Sequence, residues 1–170
     1  VEARVEEVDV DERTVALADG ETVDYDYLLV ALGTETAFYG IEGLEEHALP
    51  LKGLEDAREI HRAVREAGEA ATPDDPAQIL VGGAGLSGIQ SAGEIAEFRD
   101  DDAVPLEIKL VEGLDEIFHG NDPEVQGALR KRLQERDVET LTGDFVSKVD
   151  EETVYLGGGE DEEPVELGYD

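Results

Sequence analysis

The 170-residue chain contains no cysteine, methionine or tryptophan. Without cysteine there is no disulfide, no thiolate nucleophile and no iron–sulfur ligation in this segment. Positive charge is scarce: 13 Lys and Arg stand against 45 Asp and Glu, a formal charge of −32. That balance argues against nucleic acid or an anionic membrane surface as a partner of these residues, since both would repel them. No stretch approaches the ~18 consecutive apolar residues of a membrane-spanning helix. No signal-peptide pattern follows Val1. The three histidines, His47, His61 and His119, are too widely spaced for a metal-ligand pattern. Ser87 and Ser91 lack a convincing base partner, which leaves nucleophilic catalysis with little support.

What is present points to a folded α/β chain. The acids are spread through periodic apolar segments and form no single tail, so a disordered chain is the weaker reading. Only four of the basic residues are Lys, and a carboxylate-rich, lysine-poor surface resembles proteins of halophiles, where concentrated salt screens self-repulsion. The chain begins at Val1 without an initiator Met and reads as an excised piece.

Val5–Val10, Thr14–Ala18 and Tyr27–Leu32 are short β-like runs, and the Asp-Gly pair in "ADGE" is a strong turn signal. "YLLVALG" is continuously apolar, which predicts a strand buried on both faces. Leu54, Ala57, Ile60, Val64 and Ala67 recur at helical spacing, with an expected end at Gly68. After the polar loop "EAATPDDPAQ", strands are expected at Ile79–Val81, Leu106–Val111 and Val138–Leu141. Between them, a helix from Gly88 buries Ile89, Ala92, Gly93 and Ala96. A second helix opens at Asn121, Asp122 and Pro123 and turns Val125, Leu129 and Leu133 inward. This alternation predicts a parallel sheet with right-handed crossovers. Phe145–Val149 and Thr153–Leu156 read as further β-structure, with "GGGEDEEP" as a loop.

Gly83-Ala84-Gly85-Leu86-Ser87-Gly88 fits G-x-G-x-x-G between the first of these strands and its helix. The three glycines serve a tight turn, close backbone approach to a pyrophosphate and close helix–strand packing. The helix N-terminus then offers unpaired N–H groups and a partial positive charge. Alone the motif is weak; its strand–turn–helix context raises it, as does an acid at the end of the next strand. That acid, Glu112, stands 24 residues beyond Gly88, close to the ~20 that suits a carboxylate on the adenosine ribose. It would repel a 2′-phosphate, and no Arg follows it nearby, so NAD is favoured over NADP.

"VALGT", "FYGIEGLEEHALPLKGLEDAREI", "GGAGLSGIQSAGEI" and "IKLVEGLDEIFHGNDPEV" occur in this order. Together they resemble the flavin-dependent pyridine-nucleotide oxidoreductases, most closely the type II NADH dehydrogenases. The resemblance implies a Rossmann-like NADH-binding domain over residues 38–170, with its glycine turn at 82–88, inserted in a split FAD-binding domain. Residues 1–37 would be the end of that domain's first half. The implied NADH contacts are Gly82, Gly83, Gly85, Leu86, Ser87, Gly88, Gln90 and Glu112, with Gly33 and Thr34 close to FAD. Gln90 departs from the Glu common in the family, which puts a proton-relay role there in doubt, while Glu94 matches the family's second Glu. The resemblance assigns no catalytic residue and no metal. It implies hydride transfer from NADH to flavin, then electron transfer to a quinone, in a cytoplasmic protein held peripherally at the inner face of the membrane by other regions. FAD is not expected to be retained by these residues alone. An NADH oxidase or a ferredoxin-type reductase of the same fold, or a non-catalytic NAD-binding module, are the alternatives.

Overall fold

The computed structural model describes residues 2–158 and 163–170. Val1 and the centre of the "GGGEDEEP" loop, residues 159–162, lie outside the described residues. The chain divides into two compact units, Val1–Thr34 and Glu35–Asp170.

The first unit is an antiparallel meander of β1 (Val5–Asp9), β2 (Thr14–Leu17) and β3 (Thr22–Asp24). Its second turn forms where the Asp-Gly pair predicts it. Gly20 takes φ +87°, and the Asp19 carboxylate accepts the Glu21 N–H at 3.0 Å. Val15 and Leu17 are its buried apolar residues. The strand expected at Tyr27–Leu32 does not form: the segment is irregular, and Tyr27, Leu29 and Leu32 are 97, 88 and 86% exposed. The third strand is instead Thr22–Asp24, because a tight turn fixes the register of the residues directly after it. A run apolar on both faces becomes a strand only where neighbours supply pairing edges and covering layers, and among the described residues none pairs with it.

The second unit contains α1 (Leu44–His47), α2 (Leu54–Ala70), β4 (Ala77–Gly82), α3 (Leu86–Asp102), β5 (Leu106–Glu112), α4 (Pro123–Gln134) and β6 (Val138–Thr142). After these come β7 (Val146–Val149), β8 (Thr153–Leu156) and β9 (Val165–Gly168). Strands β4, β5 and β6 form a parallel sheet in that order, with Ile79 opposite Ile108 and Ile108 opposite Val138. This is the expected α/β, Rossmann-like arrangement. One face of the sheet presents Ala77, Ile79, Leu106, Ile108, Leu110 and Val138 to a core shared with Val64, Ile89, Ala92, Ala96 and Leu133. Strands β7, β8 and β9 form a separate antiparallel sheet.

Several local expectations need correction. Helix α2 runs two residues past Gly68, because that glycine serves packing and not a cap: a β-carbon there would overlap the Val104 side chain. Gly93 is only half-buried, with open space where a β-carbon would stand. Val125 is 45% exposed, while Leu129 and Leu133, one turn apart, carry the inward face of α4. Phe145 precedes its strand and lays its ring over Gly113, where no β-carbon would fit. The start of α4 is as expected: Pro123 is its first residue, and the Asp122 carboxylate accepts the Glu124 N–H at 2.8 Å.

Candidate dinucleotide-binding site

The glycine turn lies at the carboxyl end of β4, where open α/β sheets bind ligands. Each motif glycine meets a different constraint. Gly83 takes φ +85°, a conformation L-residues rarely adopt. Gly85 has ordinary extended angles, and a β-carbon there would point into open space, which leaves room for a ligand to approach the backbone. At Gly88 a β-carbon would overlap the Gly83 carbonyl, so the first turn of α3 can lie against the loop only without a side chain. Gly82 is exposed, with open space beside it.

Helix α3 begins at Leu86 with Gly85 as its N-cap and no capping side chain. Its first turn holds no acid, unlike α2, which opens with Glu55 and Asp56, and α4, which opens with Glu124. In a chain with 45 acidic residues, no acid within that turn of the helix opposes its dipole. The N–H groups of Leu86, Ser87 and Gly88 have no intrahelical acceptor and suit a phosphate. Leu86 and Ser87 are exposed, and Ser91 donates back to the Ser87 carbonyl at 2.9 Å.

Glu112 ends β5 beside the turn. One carboxylate oxygen accepts the Ala84 N–H at 2.7 Å and the other accepts the Leu114 N–H at 3.1 Å. Each oxygen keeps a second lone pair, so the half-buried carboxylate can still accept ribose hydroxyls. Gln90 and Glu94 are exposed on α3. Gly33, at φ +76°, and Thr34 end the first unit in an exposed segment without regular structure.

Sequence reasoning missed two residues at the turn. Ala84 is fully buried, and its carbonyl accepts the Phe118 N–H at 2.8 Å. The fully buried Ile117 anchors that loop in the core. Burial of Ala84 is consistent with a small residue inside the motif, but nothing in the sequence marks Phe118. A cavity of about 540 Å³ lies elsewhere, lined by His61, Arg65, Phe98 and Val104 among others. It adjoins the far end of α3, roughly 20 Å from the turn at 1.5 Å rise per residue. Its acids and bases are mixed and it has no glycine loop, so the turn is the stronger site. Among the described residues no cluster of three potential metal ligands gathers, and no helix is long and apolar enough to cross a membrane.

Over 102 residues, 57% of the chain, the sequence is 35% identical to the type II NADH:quinone oxidoreductase of Staphylococcus aureus strain NCTC 8325 / PS 47. The chain spans about a quarter of the length of the curated relatives it matches (25%). The fold is similar to NDH2 from Plasmodium falciparum in complex with NADH, with a TM-score of 0.77 and 18% identity over 99% of this chain and 38% of that one. It is also similar to the sulfide:quinone oxidoreductase of Aquifex aeolicus, with a TM-score of 0.79 and 18% identity over 99% and 40% of the two chains. Residues 1–169 match the family described as pyridine nucleotide-disulphide oxidoreductase, and the chain belongs to that family.

Proposed function

We propose that this chain is the NADH-binding region of a flavin-dependent oxidoreductase that passes hydride from NADH to FAD and then electrons to a quinone. The observation that carries the reading is the start of α3: uncapped, free of acids, and open in front of Gly85. Gly82, Gly83 and Gly85 let the backbone approach the pyrophosphate, and the N–H groups of Leu86, Ser87 and Gly88 face it. Glu112 accepts the ribose hydroxyls and repels a 2′-phosphate, which selects NADH. Gln90 lies one turn into α3, toward the nicotinamide, where its amide can donate and accept without exchanging a proton. When bound, FAD supplies the hydride acceptor and the outlet for electrons. Gly33 and Thr34, a glycine with left-handed backbone followed by a hydroxyl, fit a segment passing close to that flavin.

The quinone, the split flavin domain around residues 1–37 and a peripheral hold on the inner membrane face rest on likeness to type II NADH:quinone oxidoreductase. The test is calorimetric titration of the chain with NADH and NADPH, followed by anaerobic flavin reduction in the full-length protein. Saturable NADH binding, flavin bleaching by NADH and reoxidation by a quinone support the proposal. NADH binding without flavin in the full-length protein would leave a non-catalytic NAD-binding module. Reoxidation by ferredoxin or dioxygen and not by quinone would move the protein to another acceptor.

A further inference from the structure

Phe118 holds a left-handed backbone, φ +50°, which a bulky residue rarely adopts unless its surroundings impose it. Here they do. Its carbonyl accepts the Asn121 side-chain amide at 3.1 Å, the Gln126 side-chain amide at 3.2 Å and the Asn121 N–H at 3.3 Å. On its other side the Phe118 N–H donates to the Ala84 carbonyl at 2.8 Å. Gln126 is half-buried on α4, and Ile117 beside Phe118 is fully buried, so both ends of the loop are anchored.

The Ala84 peptide groups are therefore held from two directions. Phe118 holds its carbonyl, while Glu112 accepts its N–H at 2.7 Å. One residue earlier, the Gly83 N–H donates to the Val111 carbonyl at 2.8 Å. Ala84 sits between Gly83 and Gly85, so its orientation fixes that of the Gly85 backbone and of the first N–H groups of α3. Backbone donors bind an anion best when they need no reordering as it arrives.

We infer that Gln126 and Asn121 are positioning residues for the pyrophosphate site, acting through the strained Phe118 backbone on Ala84 without touching the ligand. This rests on the NADH-binding reading above. It explains a half-buried amide on α4, a helix otherwise outside the site, and it gives the left-handed Phe118 a task.

The experiment compares the chain with its Gln126→Met and Asn121→Ala variants and the double variant, in molar KCl. NADH affinity is read by calorimetry and amide hydrogen exchange at Ala84 and Phe118 by NMR. Gln126→Met keeps the side-chain length and removes the donor. Each single variant should weaken NADH binding about 3- to 10-fold, the effect of losing its bond to the Phe118 carbonyl; Asn121→Ala also removes a 3.3 Å bond to the His119 carbonyl. Exchange at Ala84 and Phe118 should quicken in step. The double variant should lose less than the product of the two, because both amides act on one carbonyl. Arg132→Ala, exposed on the same helix, should bind as the parent does. If either single variant does not fold, the other carries the test. Unchanged affinity, or weakened affinity without quicker exchange at Ala84, would overturn the inference. Failure of the parent chain itself to bind NADH would instead overturn the reading beneath it.

Discussion

Gly88 in the first turn of α3 packs directly on the carbonyl of Gly83, leaving no room for a β-carbon. Gly85, three residues earlier, is unconstrained by its neighbours: its angles are ordinary and the space beside it is open. The two glycines therefore separate folding from binding. Gly88→Ala should destabilise the chain by roughly 2–4 kcal/mol, because the overlap is with backbone that cannot move aside. Gly85→Ala should unfold within about 0.5 kcal/mol of the parent yet bind NADH at least tenfold more weakly (roughly, as a group intruding on a ligand contact). Denaturant unfolding and calorimetry on both variants check the split.

Glu112 accepts the Ala84 N–H of the turn, and under the proposed function its free lone pairs receive the ribose hydroxyls. Glu112→Ala should lower the NADH-over-NADPH preference by about tenfold, since it removes a charged hydrogen-bond partner and the repulsion of a 2′-phosphate. Glu112→Gln keeps one oxygen acceptor and should fall between the two. Binding constants for both nucleotides give the ratio directly.

Lys148 lies 2.9 Å from Asp150 and 3.8 Å from Glu42. The bond from Lys148 holds the Asp150 carboxyl below its ordinary range, and the same bond holds the lysine above its own. The aspartate's contribution to stability is present above its ordinary 3.8 and lost as pH falls through its lowered folded value. The lysine's is present below its ordinary 10.5 and lost as pH rises through its raised folded value. The stability difference between the parent and Lys148→Met should therefore be flat between those limits and shrink on both sides. Thermal melts across pH measure it.

With 45 acids against 13 bases, the chain repels itself and would repel the anionic dinucleotide of the proposed function. NADH binding and the melting temperature should both rise severalfold or by several degrees, respectively, between roughly 0.1 M and 2 M KCl, where the screening length falls below ~3 Å. Affinity that falls steadily with salt in a folded sample would contradict this.

Legibility in the sequence followed the range of the interactions involved. The β4–α3–β5 unit was legible because its strand, glycine turn, helix and terminal acid each leave a local mark. Glu112 could be placed at the end of β5 for the same reason, and Asp122-Pro123 marked the start of α4. Tyr27–Leu32 misled because an apolar run records a need for neighbours without supplying them. Thr22–Asp24 and Val165–Gly168 are too short and too polar for a periodicity signal to stand out. Gly68 resembled a helix stop because composition cannot distinguish a capping glycine from one pressed against Val104. Phe118 was invisible, since its role depends on Ala84, 34 positions away in the chain.

The central claim is that the open start of α3 receives the pyrophosphate of NADH, and NMR titration of the chain with NADH in molar KCl tests it most directly. The account predicts saturable shifts concentrated at the amides of Gly83–Gly88 and Glu112–Leu114, with Leu86, Ser87 and Gly88 moving most. Absence of saturable binding in the folded chain, or shifts centred on His61, Arg65 and Phe98 at the far end of α3, would contradict it.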